Sequence, residues 1–234
     1  MICMNILYTG TQYGSSGNFK FTFEKPILLV KGLNKIALLS VTVGFANYGA
    51  FFDLQPAGVT GPVQLIANVN GVITTKDLSN QQWNYMVGLV GEQKKYYTGS
   101  VDSLPWNPHE RGYSRKFTWF IANFNSPVVN ESIVLDMAGL GKGHAWVNGN
   151  SIGRYWPSYL ATADGCKESC DYRGSYSPNK CNSNCGASTQ RWYHVPRSFL
   201  SNNGNNTLIL FEEFGGDPSS VLPMTQDQRK AFTN

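Results

Sequence analysis

The chain has 234 residues, 41% hydrophobic and 15% charged, against about 25% charged in an ordinary soluble domain. With 24 glycines, 11 prolines, 13 phenylalanines, 12 tyrosines and 6 tryptophans, that composition excludes a disordered chain and indicates a folded, turn-rich protein of one or two domains. The net charge of +4 is scattered, which argues against a nucleic-acid partner, and no apolar run reaches the ~20 residues of a membrane span.

Met1 to Tyr8 has no basic segment and too short an apolar stretch for a secretory signal. Phe19 to Phe23 alternates with period two, and Ile36 to Val43 is rich in β-branched residues, so both predict strands, as does Val63 to Val69. Between Asn70 and Arg111 the strand pattern is interrupted by Gly71, Gly88, Gly91, Gly99 and Leu104 to Pro108, which marks a boundary. Phe117 to Phe124, Ile133 to Leu135 and Leu208 to Phe211 again predict strands. In Ala145 to Ile152 the pair Asn148-Gly149 sits between short apolar runs, the residue choice of a two-residue type I′ hairpin. No convincing helix emerges, and the best helical candidate is the polar tail from Thr225 to Thr233.

Gly32 to Leu38 can be laid over Gly204 to Leu210, each a turn feeding an alternating strand. The echo suggests two related β-modules, although any two strand starts resemble each other. Many short strands with Gly/Pro turns predict an all-β protein of two β-sandwich modules. The expected division is a partial sandwich over 1–70, a connecting segment over 71–110, a jelly-roll sandwich over 111–218 and a tail over 219–234. Seventy residues cannot supply both sheets of a jelly roll, so the first module is expected to lack its first strands.

Cys166, Cys170, Cys181 and Cys185 lie in a Gly-, Ser- and Asn-rich loop over 164–188, in the pattern C-x3-C-x10-C-x3-C. Four thiolates could ligate zinc, or two disulfides could staple a loop that has little apolar material to hold it. The absence of the tighter C-x2-C knuckle favours disulfides, with connectivity open. Asn130-Glu131-Ser132 and Asn205-Asn206-Thr207 have the form of N-glycosylation acceptors. Gly149 to Gly153 matches the G-x-S-x-G nucleophile elbow, with Asp171 and His194 following in hydrolase order, but Arg154-Tyr155-Trp156-Pro157 does not continue as the helix an elbow needs. Gly139 to Gly143 reads as a tight turn, its lysine being misplaced for a phosphate loop. Glu212-Glu213 is the obvious carboxylate pair. Neighbours on a strand point to opposite faces, so the two cannot share one sugar, and each is expected to be solvated or ion-paired. No catalytic residue, metal ligand or cofactor is therefore assigned. Aromatic and amide clustering leaves Trp146, Asn148, Arg154, Tyr155 and Trp156 as candidate carbohydrate contacts, the alternative being that these residues fill a core or interface. His109 and His194 read as structural.

Gly141-Lys142-Gly143-His144-Ala145-Trp146-Val147-Asn148-Gly149-Asn150-Ser151-Ile152-Gly153-Arg154-Tyr155-Trp156 closely resembles the hallmark segment of plant β-galactosidases of glycoside hydrolase family 35. Cys170 to Gly174, Gln190 to Ser198, Phe211 to Pro218, Asn47 to Asp53 and Gly61 to Leu65 resemble further segments of the same enzymes in the same order. The resemblance runs from about Tyr13 to about Pro218. It implies secreted or cell-wall enzymes that release terminal β-D-galactosyl residues from galactans, built from a leader, a catalytic TIM barrel with two glutamates, and later jelly-roll, galactose-binding-like β-sandwich domains. This sequence resembles only the later domains, so no catalytic glutamate can be carried over to it. It also implies a galactose-containing glycan and the catalytic barrel as partners, with no nucleic acid and no membrane. A secreted family further favours disulfides. A free-standing carbohydrate-binding module is the alternative reading.

Overall fold

The computed structural model describes residues 18, 20–41, 48–99, 115–126, 131–167, 169–177, 180–201 and 204–225. The chain divides after Asn84 into two compact units. In the first, β1 (Gln64–Val69) and β2 (Val72–Asp77) pair antiparallel around Asn70-Gly71. Both turn residues sit at positive φ, 51° and 82°, which a type I′ turn demands and which Asn and Gly alone tolerate well. The second strand falls within the span expected to connect the modules. Phe19 to Phe23 and Ile36 to Val43 each predict a strand, yet their described residues, within 20–41, form none; a strand needs a hydrogen-bonded neighbour as well as a pattern. Gly32 and Gly204 both take positive φ, 106° and 81°, so the internal echo holds at the turn, while a paired strand follows only Gly204.

The second unit carries a short helix α1 (Val90–Gln93), then β3 (Thr118–Asn125), β4 (Ile133–Asp136), β5 (Gly143–Val147), β6 (Asn150–Tyr155), β7 (Trp192–Val195), β8 (Asn205–Glu212) and β9 (Leu222–Thr225). A four-stranded sheet in the order β3-β8-β5-β6 faces a three-stranded sheet in the order β7-β4-β9, and every pairing is antiparallel. The protein is all-β. Leu222–Thr225, expected in the tail, is the outer strand of the smaller sheet, where Pro223 can sit because an edge does not need every N–H. Of the helical candidate from Thr225 to Thr233, only Thr225 lies within the described residues, at the end of β9.

Strand parity builds the core. Ala145, Val147, Leu208 and Leu210 project from the larger sheet onto Ile133, Leu135, Tyr193 and Val195 of the smaller one. Each such buried aliphatic side chain contributes roughly 1.5–3 kcal/mol relative to exposure. The alternate residues Trp146, Ile209 and Phe211 face outward, where Leu89 and Tyr97 cover them together with Phe117, Trp119 and Ile121. Leu208 to Phe211 is thus buried on both faces, which explains a continuous apolar run where a half-exposed strand would alternate.

Asn148 and Gly149, at φ 48° and 80°, join β5 to β6 as the sequence predicts. The register shifts opposite Ala145 and Trp146, leaving Ile152 as the extra residue of a β-bulge. Gly143 opens β5 where the chain crosses β8. A Cβ there would collide with the Phe211 carbonyl oxygen and approach the Tyr155 hydroxyl at 2.5 Å. Gly143→Ala is therefore expected to destabilise the second unit by about 2–3 kcal/mol, the cost of overpacking against unyielding backbone, read as a lower urea midpoint. An unchanged midpoint would show that β5 and β8 do not approach this closely.

Candidate functional site

Both members of the Glu212-Glu213 pair are engaged inside the protein. Glu212 follows Leu208 and Leu210 on the inward parity of β8 and is fully buried, at 0% exposure. Its Oε1 accepts from the backbone N–H groups of Lys142, Phe214 and Gly215 at 3.2, 2.9 and 3.0 Å. Its Oε2 accepts from Gly141 N–H at 3.2 Å and from the Tyr155 hydroxyl at 3.0 Å. Burial pushes the Glu212 carboxyl above its ordinary range, and the N–H groups of Lys142 and Phe214, the Tyr155 hydroxyl and Gly141 N–H draw it back down. Burial, and then the Glu212 charge, raise the Tyr155 phenol far above its usual value, so it stays protonated and donates.

Glu213 is only 2% exposed and turns the other way. It meets Arg154 Nη2 at 2.6 Å and Lys142 Nζ at 3.3 Å. The same ammonium lies 4.7 Å above the Trp156 ring and 5.3 Å from the Phe214 ring, a cation–π arrangement strengthened by burial. The two glutamates do point apart, as strand geometry requires. Ion-pairing holds for Glu213, but Glu212 is neither solvated nor paired with a cation. Backbone N–H groups of two glycine-containing loops hold it instead, and Gly141 and Gly215 were the sequence signal for that cradle.

The five candidate carbohydrate contacts do not form one surface. Trp146 is 8% exposed, with its ring stacked near His144, Trp119 and Tyr97 at 4.2, 5.4 and 5.9 Å between centroids. Tyr155 lies in the core. The Asn148 amide donates to Phe199 O and Asn206 Oδ1, both at 2.8 Å, and its Oδ1 accepts from Thr207 N at 2.9 Å. Arg154 is exposed beyond its ion pair, and Trp156 is half-buried between Tyr159, Phe214 and Lys142. Sequence reasoning selected these residues by type; sheet parity and a covering segment some fifty residues upstream decide which faces remain open.

Ser151 is in strand β6, not at a strand-to-helix elbow. Its Oγ lies 2.6 Å from His144 Nε2 across the hairpin, a pairing the sequence reading missed because it sought the histidine at His194. Asp171 is held in a bidentate pair with Arg173 at 2.8 and 2.9 Å. His194 is exposed on β7, and His109 lies outside the described residues. A further pair, Asp136 with Arg191 at 2.7 Å, ties β4 to the start of β7.

The cysteines pair as two nested disulfides, Cys166–Cys185 and Cys170–Cys181, with Cα atoms 5.8 and 5.1 Å apart. That supplies the connectivity which spacing left open between staples and a zinc site. Among the described residues no group of three or more His, Cys, Asp or Glu could hold a metal ion. Asn205 is exposed at the start of β8, and Asn130 lies outside the described residues. No helix among the described residues is long and apolar enough to cross a membrane.

Residues 117–206 match the family model described as the galactose-binding domain of β-galactosidase. The chain is 48% identical over 221 residues to Beta-galactosidase 6 of Oryza sativa subsp. japonica, covering 94% of this chain and 25% of that protein. It is 52% identical over 206 residues to Beta-galactosidase 8 of Arabidopsis thaliana, covering 88% and 24%. To Beta-galactosidase 3 of Oryza sativa subsp. japonica it is 44% identical over 214 residues, covering 91% and 25%. The chain spans about a quarter of the length of the curated relatives it matches.

Glu212→Gln keeps the side-chain volume but turns one acceptor oxygen into a donor facing N–H or O–H groups. It is expected to lower stability by about 3 kcal/mol, as when one partner of a buried charged network is removed; denaturant unfolding reads the loss, and an unchanged midpoint would contradict the assigned bonds. Burial and then the Arg154 charge hold His144 below its ordinary value of 6.5. The folded state therefore resists protonation, so stability is complete above that value and falls as the pH drops through the lowered one. Melting temperature should decline on acidification below about pH 6.5, and His144→Gln should flatten that decline; an equal slope in the variant would contradict it.

Proposed function

The chain belongs to the plant β-galactosidase family, with the galactose-binding domain of β-galactosidase at residues 117–206, and from that premise we propose that it is the C-terminal, non-catalytic portion of such an enzyme. The whole enzyme would hydrolyse terminal β-D-galactosyl residues of cell-wall galactans and related glycans. This portion would pack on the catalytic barrel, shape access to it and contact galactose-containing chains.

What supports the non-catalytic role is the fate of the adjacent carboxylates. A glycosidase needs two carboxyl groups facing one sugar from opposite sides of the scissile bond. Glu212 has no exposed surface, Glu213 is 2% exposed, and both are engaged by protein donors. Neither can reach a substrate without dismantling the loops they hold.

The packing role is supported by the first unit, where Leu28, Leu33, Phe51 and Leu54 are all more than 70% exposed. An apolar surface of that extent suits a contact with the remainder of a longer polypeptide. Two disulfides suit a secreted, cell-wall setting, where thiols are oxidised. A carbohydrate-binding module acting without the barrel is the second reading, favoured by the match to a galactose-binding domain.

The purified chain, assayed with a chromogenic β-galactoside beside a mock preparation, is expected to give no turnover above the mock. Turnover that co-purifies with the chain would overturn the non-catalytic assignment.

A further inference from the structure

We propose that the sugar-contacting surface of this sandwich is the stretch 171–176 inside the Cys170–Cys181 disulfide, acting through Tyr172 and Tyr176. This rests on the reading that the domain binds galactose-containing glycans and locates the contact within it.

A sugar needs an aromatic face open to solvent. The β5–β6 hairpin does not supply one: Trp146 is enclosed by three rings and Tyr155 is in the core. Among the described residues of the second unit, the exposed tyrosines are Tyr85, Tyr159, Tyr172 and Tyr176. Tyr172 and Tyr176 lie inside the same disulfide-closed loop and are 84% and 90% exposed. Neither ring contributes to the hydrophobic clusters of the sandwich, so the fold itself does not account for placing two aromatic side chains in water.

The loop also has the companion features of a binding element. Its base is closed by Cys170–Cys181 inside Cys166–Cys185. The two arms of the connection that carries it are joined by Ala161 N–H to Ala187 O at 2.8 Å and Gly186 N–H to Thr162 O at 3.0 Å. Such closure limits the ordering entropy lost on binding. Asp171 and Arg173 flank Tyr172. They bond to each other through both carboxylate oxygens, and the Arg173 hydrogen bonds hold the Asp171 carboxyl below its ordinary range. Residues 171–173 therefore bring an ionised acceptor, a tyrosine and a guanidinium donor to one short stretch of chain. A galactosyl ring presents one face of C–H bonds, because its axial hydroxyl leaves from the other side. That face stacks on a tyrosine while the hydroxyls meet Asp171 and Arg173.

The test uses the full chain and a β-1,4-linked galactan, with binding followed by affinity electrophoresis and titration calorimetry. Tyr172→Ala/Tyr176→Ala should bind galactan at least about tenfold more weakly than the parent chain. Its melting temperature should not change, because neither ring is packed. A double variant that binds as the parent does would overturn the loop as the contact while leaving the galactose-binding reading intact. A parent chain that fails to bind galactan would overturn that reading, and this proposal with it. Equal weakening by Trp156→Ala in a folded protein, with no effect of the tyrosine pair, would move the contact to the Arg154 and Trp156 neighbourhood.

Discussion

Glu212 is a carboxylate with no contact with water, and a buried charge persists only where protein donors replace the lost hydration. Four backbone N–H groups and one phenol do so here. Those donors come from the loop between β4 and β5, from the turn after β8 and from the end of β6. Three separate chain segments must therefore meet at one anion. The constraint reaches outward from there. The loop that satisfies Glu212 also brings Lys142 to Glu213 and over Trp156. Arg154 completes the ion pair from β6, so the aromatic half of the hairpin is positioned by the same charges.

That arrangement makes the acidic residues part of the architecture. The central strands of the larger sheet, β8 and β5, are buried on both sides, inwardly against the smaller sheet and outwardly under the segment carrying Leu89 and Tyr97. Surface available for recognition is consequently displaced from the strands to the loops. The disulfide-closed loop adds no residue to either apolar cluster and is restrained by two covalent bridges. A rigid loop carried on a rigid sandwich is a common location for recognition.

Much of this was legible in the sequence where the signal is local. Asn148-Gly149 requires positive φ at two successive residues, so the hairpin could be read directly, and Ile133 to Leu135 and Leu208 to Phe211 are too apolar to be anything but buried strands. The same Asn-Gly device at residues 70 and 71 was read as a boundary, because Thr74, Thr75, Lys76 and Asp77 give β2 no apolar alternation. The edge strand Leu222–Thr225 escaped notice because Pro223 interrupts it. What the sequence could not reveal was which aromatic residues remain open. Trp146 and Trp156 look alike in type, and their different fates depend on partners far along the chain. The Glu212 cradle was hidden for the same reason, its Gly141 and Lys142 donors lying 71 and 70 residues away.

Glu212 and Glu213 hold the fold, and no carboxylate of this chain is expected to act as a glycosidase nucleophile. A retaining glycosidase forms a covalent glycosyl-enzyme through one carboxylate, and a 2-deoxy-2-fluoro-β-galactosyl fluoride traps that species. Intact-mass measurement of the purified chain after incubation with this reagent is the most direct test. The account predicts no mass increase. A one-to-one adduct mapped to Glu212, Glu213 or any other carboxylate of the chain would contradict it.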